Sequence, residues 1–231
     1  MAHPRSHIRV VCQNENSGYF RKEEGKDIIK RAKNSATPRE FFWDLRQAHL
    51  MEHHISSLDT VSQSLILPIF QRFLTVRPIL LHARSGLIHG DIKDSNTLVH
   101  DGNLSGIIDF SDTCFSAHVC NLAIAIAQFL GTDRGSLSRV AHLVAGYQSV
   151  FPLSEEEFVL LPLLTATRLA TLFVGATHFS QKDPENAYLR EHISSSLASL
   201  KFLLQVGFDE VLRVFRNVLP KSPQQSTFLK Q

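Results

Sequence analysis

The sequence lacks several features that would each direct it to a particular function. It has three cysteines, Cys12, Cys114 and Cys120, an odd number with no C-x-x-C pair. They read as small buried residues of a reduced cytosolic protein rather than as a disulfide framework or a metal site. Charge of one sign is lacking too: the formal net charge is +2 and the basic residues are dispersed, which argues against nucleic acid or an anionic membrane surface as a partner. Adjacent His53 and His54 would point in different directions on a helix and offer no ligand pair. The opening of the chain has neither the basic n-region nor the apolar h-region of a secretory signal, so a cytoplasmic protein is expected. No G-x-G-x-x-G occurs anywhere, so a glycine-rich strand and turn over phosphates is missing from this sequence.

What the chain does have is LIHGDIKDSNTLVHDGNLSGIIDFSD, Leu87 to Asp112. Phosphoryl transfer asks a protein to orient an attacking hydroxyl and to hold Mg²⁺ against crowded phosphate oxygens. A carboxylate near the hydroxyl and hard oxygen ligands for the metal meet that need. Asp91, then Asn96 five positions later, then Asp109 beyond a turn stand in the order of a kinase catalytic loop and its metal aspartate. Short apolar runs, Asn96 to Val99 and Ser105 to Phe110, flank His100-Asp101-Gly102-Asn103, and Asp-Gly is a strong hairpin signal. Such a hairpin brings Asn96 and Asp109 together at its open ends.

Taken alone, Asp91 reads as a turn residue or helix cap; the triplet of spacings favours the active-site reading. His89 reads as a loop-ordering residue rather than an acid or base. Two readings stand for Asp112: a second metal or substrate carboxylate, or the N-cap of a helix starting near Ser116.

HGD-x4-N followed by IDFxD resembles the aminoglycoside phosphotransferase and choline kinase superfamily, small-molecule kinases with the bilobal protein-kinase fold. Within it, EFFWDLRQAHLMEHHI (Glu40 to Ile55), LIHGD, SGIIDFSD, NLAIAIAQFL (Asn121 to Leu130) and HLVAGYQSVFPLSEEE (His142 to Glu157) look like the hydroxylysine kinases. The likeness runs from about Pro38 to Asn217. It implies that Asp91 orients or deprotonates the acceptor hydroxyl and that Asn96 and Asp109 hold Mg²⁺. It also implies GTP or ATP as phosphate donor and a small hydroxylated amine, 5-hydroxy-L-lysine foremost, as acceptor. Ser111 stands where many relatives have glycine, which stiffens the turn.

A kinase-like fold needs a small β-rich lobe before its catalytic loop. Only 90 residues precede Asp91, and within the first 37 the sole glycines are Gly18 and Gly25, so the expectation is that the small lobe is absent. Lys26, Lys30 and Lys33 lie in GKDIIKRAKN, a basic stretch that reads as a solvated face rather than a phosphate clamp. No nucleotide-binding residues are singled out. Residues 1–37 read as an atypical, poorly ordered segment, 38–218 as the kinase-like lobe and 219–231 as a tail.

The expected fold class is α+β and mostly α-helical: the large lobe of a protein-kinase-like fold with one small hairpin at the active site. With 231 residues and 43% hydrophobic content the chain can bury roughly 70–75% of its surface around one core. Helices are expected within Pro38–Leu81, with Phe41 and Trp43 as core positions, and over Asn121–Leu130, Ser136–Val150, Ser154–Ser180, Ala187–Val206 and Phe208–Val218. Phe158 to Thr177 is about long enough to span a bilayer, but Arg168 in its middle would cost roughly 2.5–3.5 kcal/mol there. A buried helix with a capping-box start at Ser154 and Glu157 is preferred.

Asp112, Glu155, Glu156 and Glu157 are candidate partners for a cationic amine, although the glutamates read more simply as charge at a helix N-terminus. Arg168 could pair with an internal acid or with a substrate carboxylate, and the internal pair is the preferred reading. Two functions therefore compete: a small-molecule kinase, and a kinase-like binding protein that lacks the nucleotide clamp. Oligomeric state leaves no mark on the sequence.

Overall fold

The computed structural model describes residues 43–220. The segment 1–37 with Cys12 and its lysines, the helix start at Pro38, Phe41 and the tail from residue 221 lie outside them.

The chain enters through a 3₁₀ helix, Leu45–Ser57, in which Leu45, Ala48, Met51 and Ile55 are buried. Spacings of three, three and four put these side chains on one face of a helix with three residues per turn. Asp44 caps it: Oδ1 accepts from the Arg46 amide at 3.1 Å and from Ser116 Oγ at 2.7 Å. This ties the helix to a strand 72 residues away. Helix α1, Thr60–His82, follows, capped by Asp59, whose carboxylate accepts from the Ser62 amide at 2.9 Å. It buries Ile66, Phe70 and Phe73 completely, each contributing about 1.5–3 kcal/mol of transfer free energy.

Four short strands come next. β1 (Ser85–Ile88) pairs antiparallel with β4 (Cys114–Ala117), and β2 (Thr97–His100) pairs with β3 (Asn103–Ile107). The expected hairpin is β2–β3. Asp101 and Gly102 at its tip both take positive φ, 47° and 74°, as a tight hairpin turn requires. The antiparallel β1–β4 pair, which joins non-consecutive strands and is not a hairpin, was not expected. Four-residue strands with glycine and serine among them carry too little alternation to be read from sequence.

The remaining helices build the lobe: α2 (His118–Phe129), α3 (Arg134–Val150), α4 (Glu155–Phe158), α5 (Leu161–Ser180), α6 (Ala187–Val206) and α7 (Phe208–Asn217). The expected helix over Ser154–Ser180 is two. Its start is right, since Ser154 and Glu157 form a reciprocal capping box. Pro162 cannot donate a backbone bond to Phe158, so the first turn ends and a new helix starts with proline near its N-terminus. α5 is the central post, packed against α6, α2, α1 and the 3₁₀ helix. In the apolar stretch that includes it, 89% of the most apolar window is buried. Thr167 and Thr171 donate to carbonyls one turn back at 2.8 Å, while the buried Thr165 hydroxyl has no partner among the described residues.

Candidate active site

The motif residues sit where two loops cross. Residues 89–93 leave β1 and reach β2 through one turn of 3₁₀ helix, Asp94–Asn96. Residues 108–113 run from β3 to β4. His89 binds both loops: Nδ1 accepts from the Asp91 amide at 3.2 Å, which leaves Nε2 to donate to the Ile108 carbonyl at 3.0 Å. Its ring lies 4.7 Å from that of Phe110. Gly90 takes φ +81°, and a Cβ there would stand 2.5 Å from the Asp112 carbonyl oxygen. Only glycine allows this backbone and this approach. The open end of the hairpin is closed by the Ile108 amide donating to the Asn96 carbonyl at 3.0 Å, so Asn96 and the residue before Asp109 are neighbours, as expected.

Asp91 is nearly buried, at 8% exposure, and both oxygens are engaged. Oδ1 accepts from Gln128 Nε2 at 3.1 Å, and Oδ2 accepts from Asn96 Nδ2 at 3.1 Å. Lys93 Nζ approaches Oδ2 at 2.6 Å, and Arg168 Nη2 stands 3.8 Å from Oδ1. Burial works to discharge Lys93, but the bond to Asp91 and its charge outweigh that and raise the lysine's pKa. For Arg168, wholly buried, desolvation lowers the pKa despite Asp91 and Asp112. Burial, then the nearby Asp91 charge, raises the Asp112 carboxyl.

Asp91, Lys93, Asp112, Gln128 and Arg168 line one cavity of about 270 Å³, which also meets Asp109, Trp43, Leu172 and Ala176 and the Tyr188 to His192 end of α6. Trp43 is thus a wall of the cavity rather than a core residue, with the Arg168 guanidinium 5.4 Å from its ring centre. Asp112 faces the cavity as well. Its N-cap reading is corrected, because α2 starts at His118 with Ala117 as a cap that makes no side-chain bond. Glu155, Glu156 and Glu157 occupy the first turn of α4 and are not among the cavity's walls.

Residues 26–157 match the phosphotransferase enzyme family. The chain belongs to this family. It is 30% identical to hydroxylysine kinase of Xenopus laevis over 189 residues, 76% of this chain and 50% of the relative. With hydroxylysine kinase of Danio rerio the identity is 32% over 181 residues, 75% and 51% of the two chains. A stretch of 82 residues is 40% identical to homoserine kinase of Chelativorans, covering 35% of this chain and 26% of that one. The chain spans about half the length of the hydroxylysine kinases it matches.

The Asn96 amide nitrogen is committed to Asp91, donating to its carbonyl at 2.8 Å and to its carboxylate, which turns the Asn96 carbonyl oxygen to the other side. Asp109 is exposed and held at φ +61°, with Oδ1 accepting from Ser111 Oγ at 2.7 Å. A non-glycine residue in this region is uncommon, and such backbone concentrates at functional sites. One carboxylate and one amide oxygen are hard donors of the kind Mg²⁺ takes, leaving its other positions to phosphate and water. The residues therefore fit that ion. Among the described residues no three His, Cys, Asp or Glu side chains cluster as a closed metal cage.

Sequence reading missed Lys93, Gln128, Tyr188 and His192. Lys93 carried a local signal: it lies two positions after Asp91 in extended backbone, φ −153°, so both side chains lie on one side of the chain. The other three come from α2 and α6, and nothing near the motif announces them.

Proposed function

We propose that this phosphotransferase moves the γ-phosphate of a nucleotide, GTP or ATP, to the hydroxyl of a small amino compound, with 5-hydroxy-L-lysine as the foremost acceptor. The observation that carries the reading is the nearly buried Asp91 carboxylate, fixed by Asn96, Gln128 and Lys93 at the wall of a small-molecule cavity. The substrate follows from the likeness to hydroxylysine kinases over three quarters of the chain.

Asp91 receives the acceptor's hydroxyl as hydrogen-bond acceptor and takes its proton as the oxygen–phosphorus bond forms and the bond to the leaving nucleoside diphosphate breaks. Gln128 and Asn96 fix the direction of the carboxylate, so the hydroxyl is met in one orientation. Lys93 balances the charge of Asp91 and offers a cation beside the transferring group. Asn96 and Asp109 would hold Mg²⁺, which neutralises phosphate charge when bound. Asp112 is positioned for the acceptor's ammonium group. Buried, unpaired Cys114 and Cys120 support a reducing, cytoplasmic setting.

The test is turnover of 5-hydroxylysine with GTP and with ATP, each with and without Mg²⁺. Metal-dependent phosphohydroxylysine formation supports the proposal. Binding of the amino acid with no phosphate moved from either nucleotide favours the alternative, a kinase-like lobe that binds the acceptor without transferring phosphate to it.

A further inference from the structure

We propose that Arg168 is the anchor for a carboxylate on the acceptor, so the pocket selects hydroxyl-bearing amino acids over plain amino alcohols. This rests on the phosphotransferase reading of the same cavity and adds a specificity-determining residue to it.

Arg168 lies in the middle of α5, 2% exposed, and lines the cavity. Among the described residues its buried Nε and Nη1 have no hydrogen-bond partner. Buried charges are ordinarily paired and hydrogen-bonded, because an incompletely compensated one is costly. Asp91 and Asp112 both act on its charge, but among the described residues only Asp91 comes within ion-pair distance, Oδ1 standing 3.8 Å from Nη2, beyond hydrogen-bond reach.

Serving as counter-charge to Asp91 does not account for it. Lys93 already pairs with Asp91 at 2.6 Å, and Asn96 and Gln128 donate to its two oxygens. The Trp43 ring, 5.4 Å from the guanidinium carbon, offers a π face but no acceptor. What remains is a planar fork of donors at the wall of a small cavity. A carboxylate fills such a fork with two parallel bonds. Leu172 and Ala176, one and two turns further along α5 on the same wall, give an apolar surface for the carbon chain between carboxylate and hydroxyl. A phosphate group would satisfy the same donors and is the competing source of the anion.

The test is calorimetric binding to the full chain without nucleotide, comparing 5-hydroxylysine and homoserine with their methyl esters. The expected result is an affinity at least about tenfold lower for each ester. In Arg168→Gln the acid loses that advantage while the ester's affinity stays. Should Arg168→Gln fail to fold, the acid and ester series on the unaltered chain decides alone. Equal binding of acid and ester, binding of neither acid, an acid preference that survives in folded Arg168→Gln, or displacement of the amino acid by inorganic phosphate overturns the proposal. Acid preference without turnover in the assay above sinks the kinase reading and leaves the carboxylate site standing. Turnover with equal kcat/KM for acid and ester does the reverse.

Discussion

Gly90→Ala tests whether the two loops of the site depend on one backbone contact. At φ +81° an alanine pays the left-handed penalty of about 1–2 kcal/mol. Its Cβ would also stand 2.5 Å from the Asp112 carbonyl oxygen and 3.3 Å from the carbonyl carbon. Backbone cannot swing aside as a flexible side chain can, and forced overpacking costs about 1–3 kcal/mol. Restricting the unfolded chain returns about 0.4–1 kcal/mol. The net loss is about 2–4 kcal/mol, and at roughly 2–4 °C per kcal/mol for a domain of this size the melting temperature should fall by roughly 5–15 °C. Relief comes only by parting residues 90 and 112, which also moves Asp91. Thermal melts followed by circular dichroism, with urea titration as a second measure, read the effect. A melting temperature unchanged within about 2 °C would refute the close approach and the assembly of the site built on it.

Other outcomes follow from groups outside the cavity. The Glu157 carboxyl is disfavoured by burial but is held below its ordinary range by its bonds to Arg84 and the Ser154 amide. Its folded pKa is lowered, so its stabilisation is present above the unfolded carboxyl pKa and is lost as pH falls through the folded one. Glu157→Gln should therefore lower the melting temperature at neutral pH, and the gap should close in acid; a gap independent of pH contradicts the pairing. Burial pushes the Cys114 thiol up to about 12 and raises Cys120 further from neutrality. Peptide mapping after alkylation of the native protein at about pH 8 should find both unmodified. Modification without unfolding would place them at the surface.

The parts of the site that were legible in the sequence are those written in consecutive residues. HGD-x4-N, Asp-Gly and IDF fix Asp91, Asn96 and Asp109 by spacing. The hairpin that closes Asn96 against Ile108 follows from two short apolar runs and the Asp-Gly turn between them. The helices read well where their caps are local, as at Ala187–Val206, which the structure reproduces with Asn186 as cap. The Pro162 break was not read, and one helix was expected over Ser154–Ser180, although a proline has no amide to extend the preceding turn. Long-range pairing was not legible. β1 and β4 find each other only through register, Ile88 against Cys114. The cavity wall of Arg168, Gln128, Trp43 and Tyr188 is assembled by helix packing between segments far apart in the chain. Arg168 drew notice as a charge out of place in an apolar run, and its preferred reading was a pair with an internal acid. The structure gives that oddity its reason, aiming the guanidinium at the cavity that holds Asp91.

The central claim is that Asp91 takes the acceptor's proton during phosphoryl transfer. Its most direct test is the rate of Mg²⁺-dependent phosphate transfer to 5-hydroxylysine by the unaltered chain and by Asp91→Asn, which keeps the shape and removes the base. The account predicts measurable transfer by the first and a rate roughly 10²–10⁴-fold lower for the second. Undiminished transfer in Asp91→Asn, or no transfer to any hydroxyl amino acid by the unaltered chain, would contradict it.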